Sequence, residues 1–362
     1  MDATFSPEQQ ALKDAVRRFC DEQITVERLA RWQADERGID EALWRSIAAQ
    51  GWFGLGVPPD KGGSGLGLLE VACLLQECAR GLVPHCVSNA IRSAWALAAL
   101  DPDAAELTVL STGQKTSALA LDEEGGSDPV HYETQLARAG GTPLLHGAKS
   151  YVSEGVAADY QIVSAVDGRG VCLALVEATD TEREPLRSFD GDRQALVRYD
   201  GTPVLRMLVA KDEGAARLAA LQDQLGALGL AEMLGCMDAA LDLTVAYVKE
   251  REQFGQKLAV FQAVQHQVAD MATALTASRH LVWQAICRLA AGTAEGDELD
   301  HARAFVGQAC KRLTLAAHHL HGGAGYVVEH RLHYYAERAV SLCIRHAPEK
   351  RALGAIAARL LD

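Results

Sequence analysis

The chain has 362 residues, of which 49% are apolar, and a formal net charge of −13. That length suits two or three packed domains with large buried cores rather than one simple core. The acidic balance disfavours a general nucleic-acid binder and requires local basic groups wherever a polyanionic ligand is held.

The first residues, Met1 to Ser6, hold no basic region followed by an apolar run, and no apolar stretch in the chain is long enough to span a bilayer. A cytoplasmic protein with no membrane partner is expected. Ser6-Pro7-Glu8-Gln9 has the signature of a helix start: a capping serine, proline at the first helical position, and glutamine completing a capping box. Leu12, Val16, Phe19 and Cys20 then follow at helical spacing. Further helices are expected over Asp40–Gln50, Leu68–Arg80 and Asn89–Leu100. Between the first two lies a stretch from Gly56 to Gly67 rich in proline and glycine, which reads as a loop. Gly62, Gly63 and Gly65 make a weak phosphate-nest pattern, because no strand precedes them in a βαβ setting. The nine cysteines are scattered without Cys-x-x-Cys spacing, as expected of buried reduced thiols. Residues 1–114 read as an N-terminal helical domain.

From about Ser117 the pattern changes. Ala118–Leu121, Tyr160–Val166, Val171–Val176, Gln194–Tyr199 and Val204–Val209 are short runs of β-type composition, and Gly140 to Pro143 looks like a turn before a strand. A small antiparallel sheet domain over 115–211 follows. Within it, His146-Gly147-Ala-Lys149-Ser-Tyr151-Val-Ser153-Glu-Gly155 reads by itself as a tight hairpin with a surface lysine.

The last third, 212–362, reads as a four-helix bundle. Glu213–Arg251 is one helical run with a core stripe at Leu218, Leu221, Leu225 and Leu228. Gly226, Gly229 and Gly235 lie inside it, where close approach of a neighbouring backbone or ligand would explain them. Four residues beyond Leu228 the stripe reaches Glu232. A carboxylate there is either a base with a raised pKa, suited to a carbon acid, or the partner of an arginine on another helix. Gly255 reads as a helix stop, and the next helices are Phe261–Ala291 and Glu298–His321. A closing region covers Val328–Ala339 and Glu349–Leu361. His318, His319, His321, His330 and His333 cluster in sequence, but no carboxylate or cysteine completes a ligand set, so no metal is expected.

Several phrases carry a resemblance: Arg251-Glu-Gln253-Phe254-Gly255, Phe261-Gln-Ala-Val-Gln-His266, Ala269-Asp270-Met271, and His321-Gly322-Gly323-Ala324-Gly325-Tyr326. Gly126-Ser127-Asp128 and the Lys149–Ser153 turn belong to the same set. In this order, over the full length, they resemble the acyl-CoA dehydrogenase family of flavoproteins. Glu329-His330-x-x-His333-x-Tyr335-x-x-Arg338-Ala339 resembles the bacterial branch that includes steroid and bulky acyl-CoA dehydrogenases. The resemblance implies FAD as cofactor, held partly by a neighbouring subunit, with Arg251 on its pyrophosphate beside Gln253 and Phe254. It places Gly322 and Gly323 near the adenosine, with His319 where the family has glutamine. It places Leu121, Tyr151 and Ser153 on the flavin ring side, Leu121 standing at a threonine position and Glu123 at a proline position. It places Ser127 at the substrate.

The implied reaction is α,β-dehydrogenation of an acyl-CoA, with an electron-transfer flavoprotein as electron acceptor and a homotetramer, or a heterotetramer with a paralogous subunit, as the assembly. The two usual positions of the basic glutamate hold Leu225 and His346. Glu232, two turns beyond Leu225 on nearly the same face, is the candidate base, with Asp223 and Glu349 as runners-up. Gly226 stands where some members have arginine, which suggests room for a bulky acyl group. Two further readings stay open: a non-catalytic or weakly catalytic subunit of a heteromeric dehydrogenase, and a related oxidase or monooxygenase.

Overall fold

The computed structural model describes residues 5–35, 37–124, 132–168 and 170–361. In chain order the helices and strands are α1 (Pro7–Gln23), α2 (Val26–Ala34), α3 (Glu41–Ala49), α4 (Leu68–Arg80), α5 (His85–Leu100) and α6 (Leu107–Ser111). Then come β1 (Ser117–Ala120), β2 (Gln135–Ala139), β3 (Thr142–Ser153), β4 (Tyr160–Asp167), β5 (Gly170–Glu177), β6 (Glu182–Arg187), β7 (Arg193–Pro203) and β8 (Arg206–Val209). The chain continues with α7 (Lys211–Glu250), β9 (Glu252–Gln253), β10 (Gln256–Lys257), α8 (Gln262–Ala290), α9 (Asp297–His321), α10 (Leu332–His346) and α11 (Glu349–Leu361). This is the mainly helical architecture with a central sheet that the sequence implies. Among the described residues, no helix is long and apolar enough to cross a membrane.

The chain folds as two compact units. One gathers the described residues of 1–31, 67–83 and 223–362, and the other those of 32–66 and 84–222.

The first unit is helical. Ser6 and Gln9 form the expected capping box, with Gln9 N–H donating to Ser6 Oγ (3.2 Å) and Ser6 N–H to Gln9 Oε1 (3.0 Å). α1 is fixed to α4 by charge: the buried Glu77 carboxylate takes Lys13 Nζ at 2.9 Å and Arg17 through Nε (3.1 Å) and Nη2 (3.0 Å). α4 also lies close against α7, because a Cβ at Gly235 would fall 2.1 Å from the Gln76 carbonyl oxygen. Gly235 therefore serves the close backbone approach expected of it.

The second unit is built on a sheet of order β6-β7-β3-β2-β4-β5-β8, with β1 also pairing β4. It is mixed rather than purely antiparallel, since β4 takes β1 in parallel along Ser117–Ala120 and β2 in parallel at Gln135↔Val166. β4 and β5 are buried along most of their length, so they read as continuous apolar runs. β6, Glu-Arg-Glu-Pro-Leu-Arg, is a mostly exposed edge strand whose charges and proline hid it in the sequence while guarding the edge.

Gly255 does not stop a helix. α7 has already ended at Glu250, and Gln253 pairs with Gln256 across a two-residue turn. Phe254 and Gly255, with φ of 56° and 80°, form that turn, the left-handed pair a tight β-hairpin demands.

Candidate active site

In the second unit, β3 pairs β7 with Lys149↔Val197 and then Val152↔Ala195, so Ser150 and Tyr151 bulge out of the ladder. Tyr151 has φ 56°, a conformation that costs a non-glycine residue about 1–3 kcal/mol. The bulge turns its ring outward, 59% exposed. Two residues on, Ser153 Oγ donates to Asp192 Oδ2 at 2.8 Å.

Lys149 is not a surface lysine. It is fully buried, and its ammonium donates to Glu123 Oε1 (2.7 Å) and Ser164 Oγ (2.9 Å) while lying 3.9 Å from the centroid of the Tyr132 ring. The Leu121 carbonyl accepts from Ser164 Oγ at 3.0 Å. Burial pushes Lys149 down to about 8. Burial also pushes Glu123 up, but the N–H of Glu133 and the Lys149 ammonium outweigh it and hold the carboxyl below its usual range. Glu123, which breaks the family pattern at a proline position, is thus the partner of the buried cation. Ser127, with Gly126 and Asp128, lies outside the described residues.

In the first unit, Arg251, Gln253 and Phe254 are all exposed, and Phe254 is 92% exposed on its strained turn. Phe254 meets Phe261 edge to face at 6.1 Å. At the far end of α9, His319, Gly322 and Gly323 are exposed as well. A Cβ at either glycine would meet nothing within 4 Å, so the backbone there faces open space. Beneath this turn His321 stacks on Tyr247 (4.3 Å) and meets His330 (4.9 Å), while His318 stacks on Tyr326 (4.5 Å). Burial lowers the pKa of His318, His321, His330 and His333, so the cluster is an aromatic, neutral floor at pH 7.

The candidate base region is a face of α7. Leu225 is buried. Over Gly226 lies the guanidinium of Arg303 from α9: a Cβ there would sit 2.5 Å from Nη2. The room expected at Gly226 is therefore filled, and by an arginine supplied from another helix. Arg303 reaches across to Asp223 (3.3 Å) and also pairs with Asp300 (3.3 Å). Burial raises the Asp223 pKa, and Arg303 opposes it. Over Gly229 lies the His346 ring, with Cγ 2.2 Å from an ideal Cβ. Glu232 is next along the helix, 3% exposed. Its charge, with that of Arg338, bears on the buried Cys78 and Cys236 thiols, which burial pushes up, Cys236 to about 12. Arg338 donates to the Val83 carbonyl at 2.8 Å. Glu349 accepts a short hydrogen bond from Gln308 Nε2. The sequence marked Leu225, Glu232 and His346 separately, and the fold brings His346 onto α7 between the turns bearing the other two.

This packing predicts a measurable effect. Gly229→Ala should displace the His346 ring and destabilise the protein by about 1–3 kcal/mol, as overpacking of a filled core does. A urea unfolding midpoint equal to that of the natural protein would show that the ring moves aside freely.

Both helical parts match known family models: residues 6–101 match the acyl-CoA dehydrogenase N-terminal domain and residues 224–361 the C-terminal domain. The acyl-CoA dehydrogenase IpdE2 of Mycobacterium tuberculosis is 31% identical over 309 residues, covering 84% of this chain and 82% of the relative. Among solved structures, a steroid ACAD variant of the Tcur3481-Tcur3483 pair superposes with a TM-score of 0.89 at 29% identity, covering 98% of each chain. The ChsE4-ChsE5 complex from Mycobacterium tuberculosis gives 0.88 at 25% identity, covering 100% of this chain and 99% of that one. Fold and site thus define an oxidoreductase acting on acyl-CoA thioesters. The chain belongs to the acyl-CoA dehydrogenase family, whose cofactor is FAD.

The residues present fit that cofactor. In the first unit an exposed arginine, amide and phenylalanine project on one turn and a diglycine backbone faces open space; in the second unit, taken by itself, a bulge holds an aromatic ring outward.

Proposed function

We propose that this chain carries out FAD-dependent α,β-dehydrogenation of a bulky, steroid-type acyl-CoA in a cytoplasmic pathway of lipid breakdown. Three segments, 1–114, 115–211 and 212–362, supply the helical, sheet and bundle parts of that assembly. The observation that carries the FAD assignment is the Arg251–Phe254 corner. A phenylalanine 92% exposed on a strained turn is costly unless something covers it, and the adjacent guanidinium suits pyrophosphate oxygens. Arg251, Gln253 and Phe254 serve the FAD of a neighbouring subunit, and His319, Gly322 and Gly323 its adenosine side. Leu121, Tyr151 and Ser153 border the ring, and Ser127 contacts substrate. FAD, when bound, supplies the acceptor for the β-hydride. Glu232 takes the α-proton. Electrons then leave to an electron-transfer flavoprotein, and the assembly is a tetramer, of one chain or of this chain with a paralogue. The steroid-type substrate is supported by the steroid ACAD among the similar structures.

A second reading is favoured by one observation. The two usual base positions hold Leu225 and His346, and Glu232 is buried rather than exposed. On that reading the chain is a weakly catalytic or non-catalytic subunit supplying FAD contacts to a partner. Purification of the chain alone separates the two. A yellow protein bleached anaerobically by a bulky acyl-CoA supports the first. A colourless one that gains flavin only with a paralogous chain supports the second. Peroxide release under air would instead indicate an oxidase.

A further inference from the structure

Between His321, where α9 ends, and Leu332, where α10 begins, the chain makes the mostly exposed turn Gly322–Tyr326. Imidazoles hold this segment at both ends. Leu332 opens α10, so its N–H has no partner within the helix. It donates instead to His330 Nδ1 at 3.2 Å. Leu332 is fully buried, so losing that bond leaves a donor unsatisfied away from water. A backbone N–H can only donate, so His330 Nδ1 presents a lone pair. His321 and His333 differ. Their Nδ1 atoms face the carbonyl oxygens of Ala317 (2.8 Å) and His330 (2.8 Å), which only accept, so there Nδ1 carries the hydrogen. A proton added to His321 or His333 leaves those bonds in place. A proton added to His330 goes to Nδ1, turns the acceptor into a donor and breaks the bond to Leu332. It also sets a positive charge at the positive end of the α10 dipole.

The groups around His330 come from several elements. It meets His321 of α9 edge to face at 4.9 Å, and His321 stacks on Tyr247 of α7. His318 of α9 stacks on Tyr326 of the turn. On α10, His333 lies 3.9 Å from the Tyr334 ring, on which the charge of Glu337 bears. The charges that bear on His330 itself are those of His321 and His333. Of its chain neighbours, Arg331 donates to the Ile24 carbonyl beyond α1, and Glu329 is exposed. His266 and Asp270 of α8, which packs along α9, are exposed as well.

We propose that His330 is an acid-sensitive latch: protonation of its Nδ1 frees the start of α10 and loosens the turn Gly322–Tyr326 before it. The reading above places that turn at the adenosine side of FAD, and on that reading the latch releases the cofactor in acid. Burial, with His321 and His333 adding to it, lowers the His330 pKa below its usual 6.5, so the latch is closed at pH 7. The loosened segment binds the proton more readily than the closed one. The stability of the closed form is therefore fully present above 6.5 and is lost as pH falls through the lower, folded value.

The test follows amide hydrogen exchange of the full chain by mass spectrometry at about pH 7.5 and about pH 5.5, with flavin bound and the partner chain present if flavin requires one. Rates are divided by those of the unstructured chain at the same pH. In the natural protein the stretch 322–334 is expected to lose protection about tenfold at the lower pH, the value of one hydrogen bond lost from a buried donor, while α4 and α8 keep theirs. His330→Asn, whose amide oxygen accepts from Leu332 N–H and does not titrate, should keep its protection at both values. His321→Phe, which keeps a ring against Tyr247, should still loosen in acid. Equal protection of 322–334 at both values, loosening shared by α4 and α8, acid loosening that persists in His330→Asn, or loosening abolished by His321→Phe overturns the latch. The natural protein alone decides the first two, so the test stands even if a variant fails to fold. Flavin lost in acid by the natural protein and kept by His330→Asn supports release of the cofactor. Loosening of 322–334 with flavin retained overturns the adenosine reading and leaves the latch standing.

Discussion

Lys149→Met is expected to cost about 3–5 kcal/mol of unfolding free energy, the penalty for leaving one member of a buried ion pair uncompensated. The substitution fills most of the lysine's volume, so the loss is electrostatic. It strands Glu123, whose remaining donors are the N–H groups of Glu133 (2.6 Å) and Thr134 (3.2 Å), and it removes a donor from Ser164. A cation replaced by a thioether also vacates the face of the Tyr132 ring. The double variant Lys149→Met/Glu123→Gln should lose less than Lys149→Met alone, because no charge is then left without its counter-ion. Urea unfolding of the three proteins decides this, and additive losses would refute the pairing argument.

The same pair shapes the pH dependence of the natural protein. The Glu123 carboxyl is held below its usual 4.5, so its stabilisation is present above that value and is lost as pH falls through the lower, folded value. Lys149 is pushed from 10.5 to about 8, so the folded state binds fewer protons than the unfolded chain between those values. Stability should therefore rise with pH across that alkaline window, and Lys149→Met should abolish the rise.

What could be read in the sequence was local and periodic. The Leu218–Leu228 stripe, the Ser6 cap and the apolar runs of β4 and β5 each declare themselves within a few residues, because helical period, cap chemistry and burial on both faces are nearest-neighbour properties. The glycines of α7 were legible as points of close approach, but not what approaches them. Arg303 and His346 come from α9 and α10, about a hundred residues away in the chain, and no local signal names them. Glu123 looked like a defect in a motif until the fold set Lys149 against it, since a compensating pair from two different segments has no spacing rule. Gly255 misled because glycine serves a helix end and a tight β-turn for the same reason, its tolerance of positive φ, and only the end of α7 at Glu250 distinguishes them. In the proposed site the corner motif was plain in the sequence, because its residues are contiguous. The proposed base was not, because the two usual positions hold Leu225 and His346 and no local signal singles out another turn of α7.

Glu232→Gln is expected to slow anaerobic flavin bleaching by an acyl-CoA about 10²- to 10⁴-fold, the usual contribution of a positioned general base. Glutamine keeps the shape of glutamate, so flavin content and unfolding midpoint should stay near those of the natural protein. That separation is what makes the variant informative, since a purely structural role for the buried Glu232 would move the midpoint and leave the bleaching rate of the folded fraction alone. The competing carboxylates give the control. Asp223 is already engaged by Arg303 at 3.3 Å and Glu349 by Gln308, so each would have to break a contact to accept a proton from carbon. Asp223→Asn and Glu349→Gln should therefore leave the rate within a few-fold of the natural value. If all three variants bleach at the natural rate and His346→Gln does not, the imidazole packed on Gly229 is the base. If the natural protein binds flavin and no acyl-CoA bleaches it until a paralogous chain is added, the proton is taken by that partner, and the α7 face of this chain is a structural remnant held in place by Arg303 and His346.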